Sequence, residues 1–347
     1  MRRLAEPAGV RKLNGIEAGR GLAATAVVLC HAARHLDKAY GMPSLVGVFQ
    51  SGHAGVDLFF VISGFIILFV HYGDIGRPEC LSRYLRRRFT RIMPIYWVAL
   101  ALTIFLAMGG GHGLPGVFSI AWSAALLPSH DEPLLGIAWT LQYEIVFYAV
   151  FCLLILNRWA GITVFALWLG GIALANLWGG IVSALPRSLY GTHNLEFFLG
   201  MAVAYLVRNY RVAAPRLILA TGTILFVAAL IAEDFRLIPE HGDIGRSIYG
   251  PAAALIILGA AEANRRDLIT VPKVMQILGS ASYSIYLFQF VFIGVVWKLW
   301  LAFGLDGATP HGASFPFLAG AGVLGGIVIS RWVEHPLMRA VRRRSPV

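Results

Sequence analysis

Arg20 and His31 lie eleven residues apart in one apolar run, GRGLAATAVVLCHA, Gly19–Ala32. On a helix that spacing is three turns plus roughly 20°, so the two share a face about 16 Å apart along the axis. Ionisable side chains are costly in lipid and mark functional-site candidates. A guanidinium near the surface can hold a phosphate, and an imidazole one long arm deeper can take a proton. That layout suits a coenzyme A thioester. The plain alternative is a snorkelling Arg20 and a hydrogen-bonded packing His31.

A second group is RYLRRRFTRIMPIYW, in which Arg88 and Arg91 are three residues apart. They present one basic face of a helix, and arginine binds phosphate through paired hydrogen bonds. Pro94 is expected to distort the helix behind them. A topogenic signal with anionic lipid contact reads the same run differently. Asp57, in GHAGVDLFFVISGF, is placed to orient an imidazole or to cap a helix start. Glu144 sits inside AWTLQYEIVFYA, where a bare carboxylate is expensive. It is a candidate for binding an acceptor hydroxyl or pairing with an arginine. Glu196 and Glu334 invite the same reading, and an ion pair of Glu334 with Arg331, three residues before it, is favoured.

The elements that must hold these groups are membrane helices. Of the 347 residues, 58% are hydrophobic and 14% are charged, with a mean hydropathy of +0.70. Soluble domains carry about 25% charge. A crossing helix needs about 20 apolar residues. Such runs fall at 17–36, 52–72, 91–109, 138–157, 160–181, 193–208, 215–232, 247–263, 281–303 and 315–334. The stretch 117–128 is too short to cross and is expected to be re-entrant or interfacial. With the N-terminus inside, 21 of the 29 Lys and Arg residues fall on the cytoplasmic side, as the positive-inside rule requires.

The expected fold is therefore all-α: a polytopic membrane protein of about ten transmembrane helices in one bundle, both termini cytoplasmic. Residues 1–347 form a single domain, with a cytoplasmic tail at 1–15, no cleaved signal peptide, and a basic tail at 336–347. The net charge of +11 flanks the apolar runs, which points to topology and not to nucleic acid. Cys30, Cys80 and Cys152 have no metal-ligand spacing and read as packing residues. No fixed-period repeat or inverted symmetry is visible, which disfavours the common transporter folds.

These stretches together resemble the acyltransferase-3 family of integral membrane O-acyltransferases. The likeness runs in order through LNGIEAGRGLAATAVVLCH, GVDLFFVISGFII, RRFTRIMPIYW, WTLQYEIVFY, GSASYSIYLFQ and a closing VEHP, nearly the whole chain. It implies transfer of an acyl group, usually acetyl, from cytoplasmic acyl-CoA to a hydroxyl of a carbohydrate or glycolipid in the bacterial inner membrane, with no metal. The nearest branch is the small one associated with exopolysaccharide modification. Gln289 stands where the family usually has a histidine, which argues against a proton-transfer role there. Asn14 and Glu17 replace the family's common Asp and Leu, a change that bears on helix entry.

The mechanism expected on this reading has three parts. His31 takes the acceptor proton as general base, or carries the acyl group if the substrates lie on opposite sides. Arg20, Arg88 and Arg91 hold CoA phosphates. Glu144 positions the sugar or tunes His31, and Asp57 supports an imidazole. The competing classes are a transporter or flippase for a glycan or anionic small molecule, and an inactive scaffold that keeps the fold.

Overall fold

The computed structural model describes residues 13–111, 113–177, 185–239 and 243–343. Most of the N-terminal tail, the end of the 160–181 run, part of the loop near 240 and the last four residues of the basic tail lie outside them. Among the described residues every regular element is helical. Eight segments are long and apolar enough to cross a membrane: 43–74, 78–109, 136–156, 158–176, 215–234, 244–265, 273–302 and 311–341. They match eight of the ten expected spans. The other two expected spans are helices as well. Helix α1 (Asn14–Tyr40) has 27 residues but carries Glu17, Arg20, His31, Arg34 and Lys38, while a helix at His193–Asn209 has 17. The chain is thus an all-α polytopic membrane protein.

Two compact units divide it: Met1–Phe69 with Phe198–Trp332, and Val70–Phe197 with Val333–Val347. The first unit is built around α1. After it come a short helix α2 (Pro43–Phe49), a 3-10 turn at Gln50–Ala54, and α3 (Gly55–His71). A buried stripe on α1, Ala24, Val28, Ala32 and Leu36, packs on Ala281, Ile285 and Ile293 and on Leu318 and Ala319. Those partners belong to helices at Lys273–Ala302 and Phe315–Ile329. Lipid gives helices no hydrophobic reason to associate, so small residues that permit close packing do the work of association. Because one face of α1 is buried against protein, it tolerates polar side chains that a lipid-facing helix could not.

Glycines set the helix register in this unit. A Cβ on Gly21 would strike the backbone of Gly279 and Leu278, and one on Gly279 would strike the carbonyl of Glu17. Cβ atoms on Gly52 and Gly55 would likewise meet the carbonyls of Ala26 and Ala23. The 3-10 turn and the start of α3 therefore press directly on the middle of α1.

In the second unit the long helix that carries the arginines is α4 (Leu81–Gly109), which runs unbroken through Pro94. It begins ten residues before the apolar run. The expected re-entrant stretch is α5 (Val117–Ala124), only two turns long. Backbone at membrane depth must have its hydrogen bonds satisfied within the protein, and neighbours supply them. Tyr96 donates its hydroxyl to the Ser123 carbonyl at 2.7 Å, Trp97 its indole N–H to Ala124 at 2.9 Å, and Gln142 its amide to Leu127 at 2.8 Å. Helices α6 (Trp139–Leu156) and α7 (Arg158–Leu177) form a hairpin closed by Gly161 against Leu154. A short α8 (Arg187–Tyr190) follows, and then α9 (His193–Asn209), whose first residues belong to this unit.

The remaining helices of the first unit are α10 (Pro215–Asp234), α11 (Asp243–Arg265), α12 (Lys273–Ala302), a single turn α13 (Leu305–Ala308) and α14 (Phe315–Ile329). A π-helical turn at Ser330–Glu334 then leads into α15 (His335–Arg343). Arginines at the end of α11 reach carbonyls in the last turn of α9 and just beyond it: Arg265 donates to Val207 and Arg266 to Val212. Basic residues near a helix end thus complete hydrogen bonds that the helix leaves open.

Candidate active site

Helix α1 is continuous from Asn14 to Tyr40, so the spacing argument for Arg20 and His31 holds. Both are half-buried, and Arg20 interacts with its neighbours. The tight crossing of Gly21 on Gly279 fixes α12 beside α1. Ten residues further along each helix, about 15 Å at helical rise, His31 meets Gln289. The two helices therefore run parallel.

The His31 Nδ1 and Gln289 Oε1 atoms are 3.0 Å apart, and Gln289 donates its amide N–H to the Tyr286 carbonyl at 2.9 Å. Gln289 is fully buried. The Phe290 ring lies over the imidazole at a centroid distance of 4.6 Å. Among the described residues nothing else hydrogen-bonds the His31 ring. Asp57 is buried in the first turn of α3, where a carboxylate complements the helix dipole. The imidazole's partner is Gln289 and not Asp57.

Next to α1 lies a cluster that the sequence did not reveal. His53 Nε2 is 2.6 Å from Glu233 Oε1, and Tyr249 donates its hydroxyl to Glu233 Oε2 at 2.8 Å. Gln50 donates to the Glu233 carbonyl at 3.2 Å, and Ser51 bonds the Asp234 carboxylate through its hydroxyl at 3.0 Å. Glu233 is 1% exposed. These bonds fasten the 3-10 turn to the end of α10. No local pattern connects residue 53 to 233, so only the fold brings them together.

The other candidates belong to the second unit. Tyr148, one turn after Glu144 on α6, donates its hydroxyl to the Glu144 carboxylate. The Arg88 guanidinium stands 5.8 Å from the centre of the Tyr148 ring, a cation–π placement. Tyr84 donates to the Tyr148 carbonyl at 3.2 Å. Arg88, Tyr148 and Glu144 thus form one connected group. Arg91 is engaged differently: its Nη1 lies 3.1 Å from Glu334 Oε1. Arg83 bonds Asp74 at 2.9 Å, and Asp74 also bonds the buried His71 at 2.8 Å.

The expected pair of Glu334 with Arg331 does not form. Arg331 is exposed and makes no ion pair among the described residues. The π-helical turn at 330–334 is the reason. An i→i+5 turn rotates each residue through a smaller angle than an α-helix does, so residues three apart no longer share a face. Glu196 is buried in the first turn of α9.

The three cysteines are free thiols. Cys30 and Cys152 donate to the carbonyls of Gln50 and Tyr148, 3.3 and 3.2 Å away. Among the described residues no group of three or more His, Cys, Asp or Glu side chains is arranged to hold a metal ion.

The candidate groups thus fall into two sets, His31 with Gln289 on α1 and α12 and Arg88 with Tyr148 and Glu144 on α4 and α6. The family model described as "Acyltransferase domain" matches residues 13–331, and the chain belongs to that acyltransferase-3 family. It is 33% identical over 315 residues to the exopolysaccharide production protein ExoZ of Rhizobium meliloti (strain 1021), covering 85% of this chain and 92% of that protein. It is 26% identical over 389 residues to the acyltransferase MdmB of Streptomyces mycarofaciens, covering 98% and 95%. No solved structure matches the chain. The protein is therefore an integral membrane acyltransferase, of the kind that transfers groups other than amino-acyl groups.

Proposed function

We propose that this enzyme moves an acyl group, acetyl in the first instance, from cytoplasmic acyl-CoA to a hydroxyl of a cell-envelope or exported carbohydrate at the bacterial inner membrane. The similarity to a protein named for exopolysaccharide production supports the carbohydrate acceptor. The observation that carries the reading is the single unbroken helix bearing Arg20 and His31. It spaces a phosphate-reading cation and a proton-accepting ring along one buried element.

In the proposed step His31 accepts the proton of the sugar hydroxyl while the hydroxyl oxygen forms a C–O bond at the thioester carbonyl. The C–S bond breaks, and the proton passes from the imidazole to the departing thiolate, which leaves as free thiol. Arg20 holds a CoA phosphate by charge-assisted hydrogen bonds, and Arg88, which belongs to the other unit, is a second phosphate-binding candidate of the same chemistry. Glu144, whose carboxylate accepts from Tyr148, is the second unit's candidate for accepting a hydrogen bond from a sugar hydroxyl. A general base is worth about 10²–10⁴ in rate.

The test is acetyl-CoA binding and turnover by purified protein in nanodiscs. Wild type should bind and turn over. Arg20→Ala should bind weakly, and His31→Ala should bind normally with turnover reduced about 10²-fold or more. Normal turnover by a folded His31→Ala protein would remove His31 from the chemistry.

A further inference from the structure

The orientation of the Gln289 amide is decided by α12 itself. Its nitrogen faces the Tyr286 carbonyl at 2.9 Å, and a carbonyl oxygen only accepts. A flipped amide would set two oxygens against each other there, so Oε1 must be the atom that faces His31. Oε1 also only accepts. The proton in the 3.0 Å contact therefore sits on His31 Nδ1. A neutral imidazole carries one ring proton, so the lone pair is left on Nε2.

Burial strengthens this constraint. Gln289 is 0% exposed, so water does not compete for its amide oxygen. An amide does not titrate, so the bond is present whichever charge the ring carries. A carboxylate in its place would hold the same tautomer but would also stabilise the imidazolium.

We propose that Gln289 is the positioning residue of this enzyme, holding His31 as its Nδ1–H tautomer so that Nε2 is the atom that takes the acceptor's proton. The assignment rests on His31 being the base. Throughout the step the Nδ1–H remains bonded to the amide oxygen, and the proton arrives at Nε2 and leaves from it. The ring thus shuttles one proton and cannot turn its protonated nitrogen towards the substrate. The charged and titratable groups near the ring, Arg34 on α1 and His53 on the 3-10 turn, are left unchanged by substitutions at 289.

The experiment reads the tautomer directly. The full-length protein, with ¹⁵N-histidine and with the His31 signal assigned by its loss in His31→Ala, is placed in nanodiscs and examined by NMR beside its acetyl-CoA turnover. Wild type should show Nδ1 protonated and Nε2 bare. Gln289→Leu should lose that preference, and its kcat should fall about 10- to 100-fold, the usual cost of removing an orienting partner, with donor binding intact. Gln289→Glu keeps the acceptor. It should restore the tautomer and part of the rate, and should move the acid limb of the pH–rate profile to higher pH, because the added charge favours the protonated ring.

A wild-type ring protonated at Nε2 would overturn the proposal. So would a folded Gln289→Leu protein with unchanged tautomer and rate. If His31→Ala keeps full turnover while the tautomer is still set by Gln289, the failure lies with His31 as base and not with the geometry of the amide.

Discussion

Arg88 and Arg91 are one turn apart on the same helix but have different partners. Arg91 faces the carboxylate of Glu334, whose side chain is 2% exposed, while Arg91 itself is 32% exposed. Arg88 faces the Tyr148 ring. The pair with Glu334 ties the π-helical turn that leads into α15 to α4, and a double-mutant cycle of Arg91→Ala with Glu334→Gln should show coupling in thermal stability of about 1 kcal/mol. Strictly additive effects would deny that tie. Arg88→Ala should instead weaken CoA binding. Losing one charge-assisted phosphate contact costs about 1.5–3 kcal/mol, or roughly 10- to 100-fold in Kd, readable by calorimetry. Unchanged binding would leave Arg88 a purely structural cation. The sequence marks both arginines through their spacing but cannot separate them, because their partners lie 60 and 243 residues away. His31 was legible for a different reason: an ionisable group inside an apolar run is conspicuous by its cost. Its partner was not, since Gln289 belongs to a span 258 residues distant.

At the scale of elements, the contact that sets the site is remote from it. Gly21 and Gly279 let α1 and α12 touch backbone to backbone, and the His31–Gln289 bond forms ten residues further on in each. A side chain larger than hydrogen at Gly279 must displace the Glu17 carbonyl. Gly279→Val is expected to cost about 1–3 kcal/mol, as overpacking does, and to lower turnover by moving Gln289 off the ring. Gly294→Ala, on the same helix with open space at its Cβ position, should leave the melting temperature within a degree or two of wild type. Equal effects of the two substitutions would show that the close crossing does not govern the site. The sequence alone does not say which helix Gly21 or Gly279 meets. Hydropathy located the apolar span at 91–109 but says nothing of where α4 begins, ten residues earlier. It reports contact with lipid, whereas the helix continues through five arginines that need only backbone hydrogen bonds.

For the whole molecule, the parallel course of α1 and α12 checks the span count independently of charge. Two parallel crossings of one chain must have an odd number of crossings between them. Helices α3, α4, α6, α7, α10 and α11 supply six, so α9 must be the seventh, although 17 residues reach only about 26 Å against a hydrocarbon core of about 30 Å. Length alone would have excluded α9, and the polar residues of α1 kept that helix too from qualifying as a candidate span. Counting both, as the pattern of Lys and Arg already required, gives ten spans and places residue 187 outside and residue 211 inside. Both positions are exposed. With Cys30, Cys80 and Cys152 replaced by serine or alanine, single cysteines can be introduced as Arg187→Cys and Arg211→Cys. A membrane-impermeant maleimide should label the first from the outer face of intact spheroplasts and the second only after the membrane is opened. Labelling of both from the same face would mean that α9 does not cross. The parallel α1 and α12 would then require another helix to turn back.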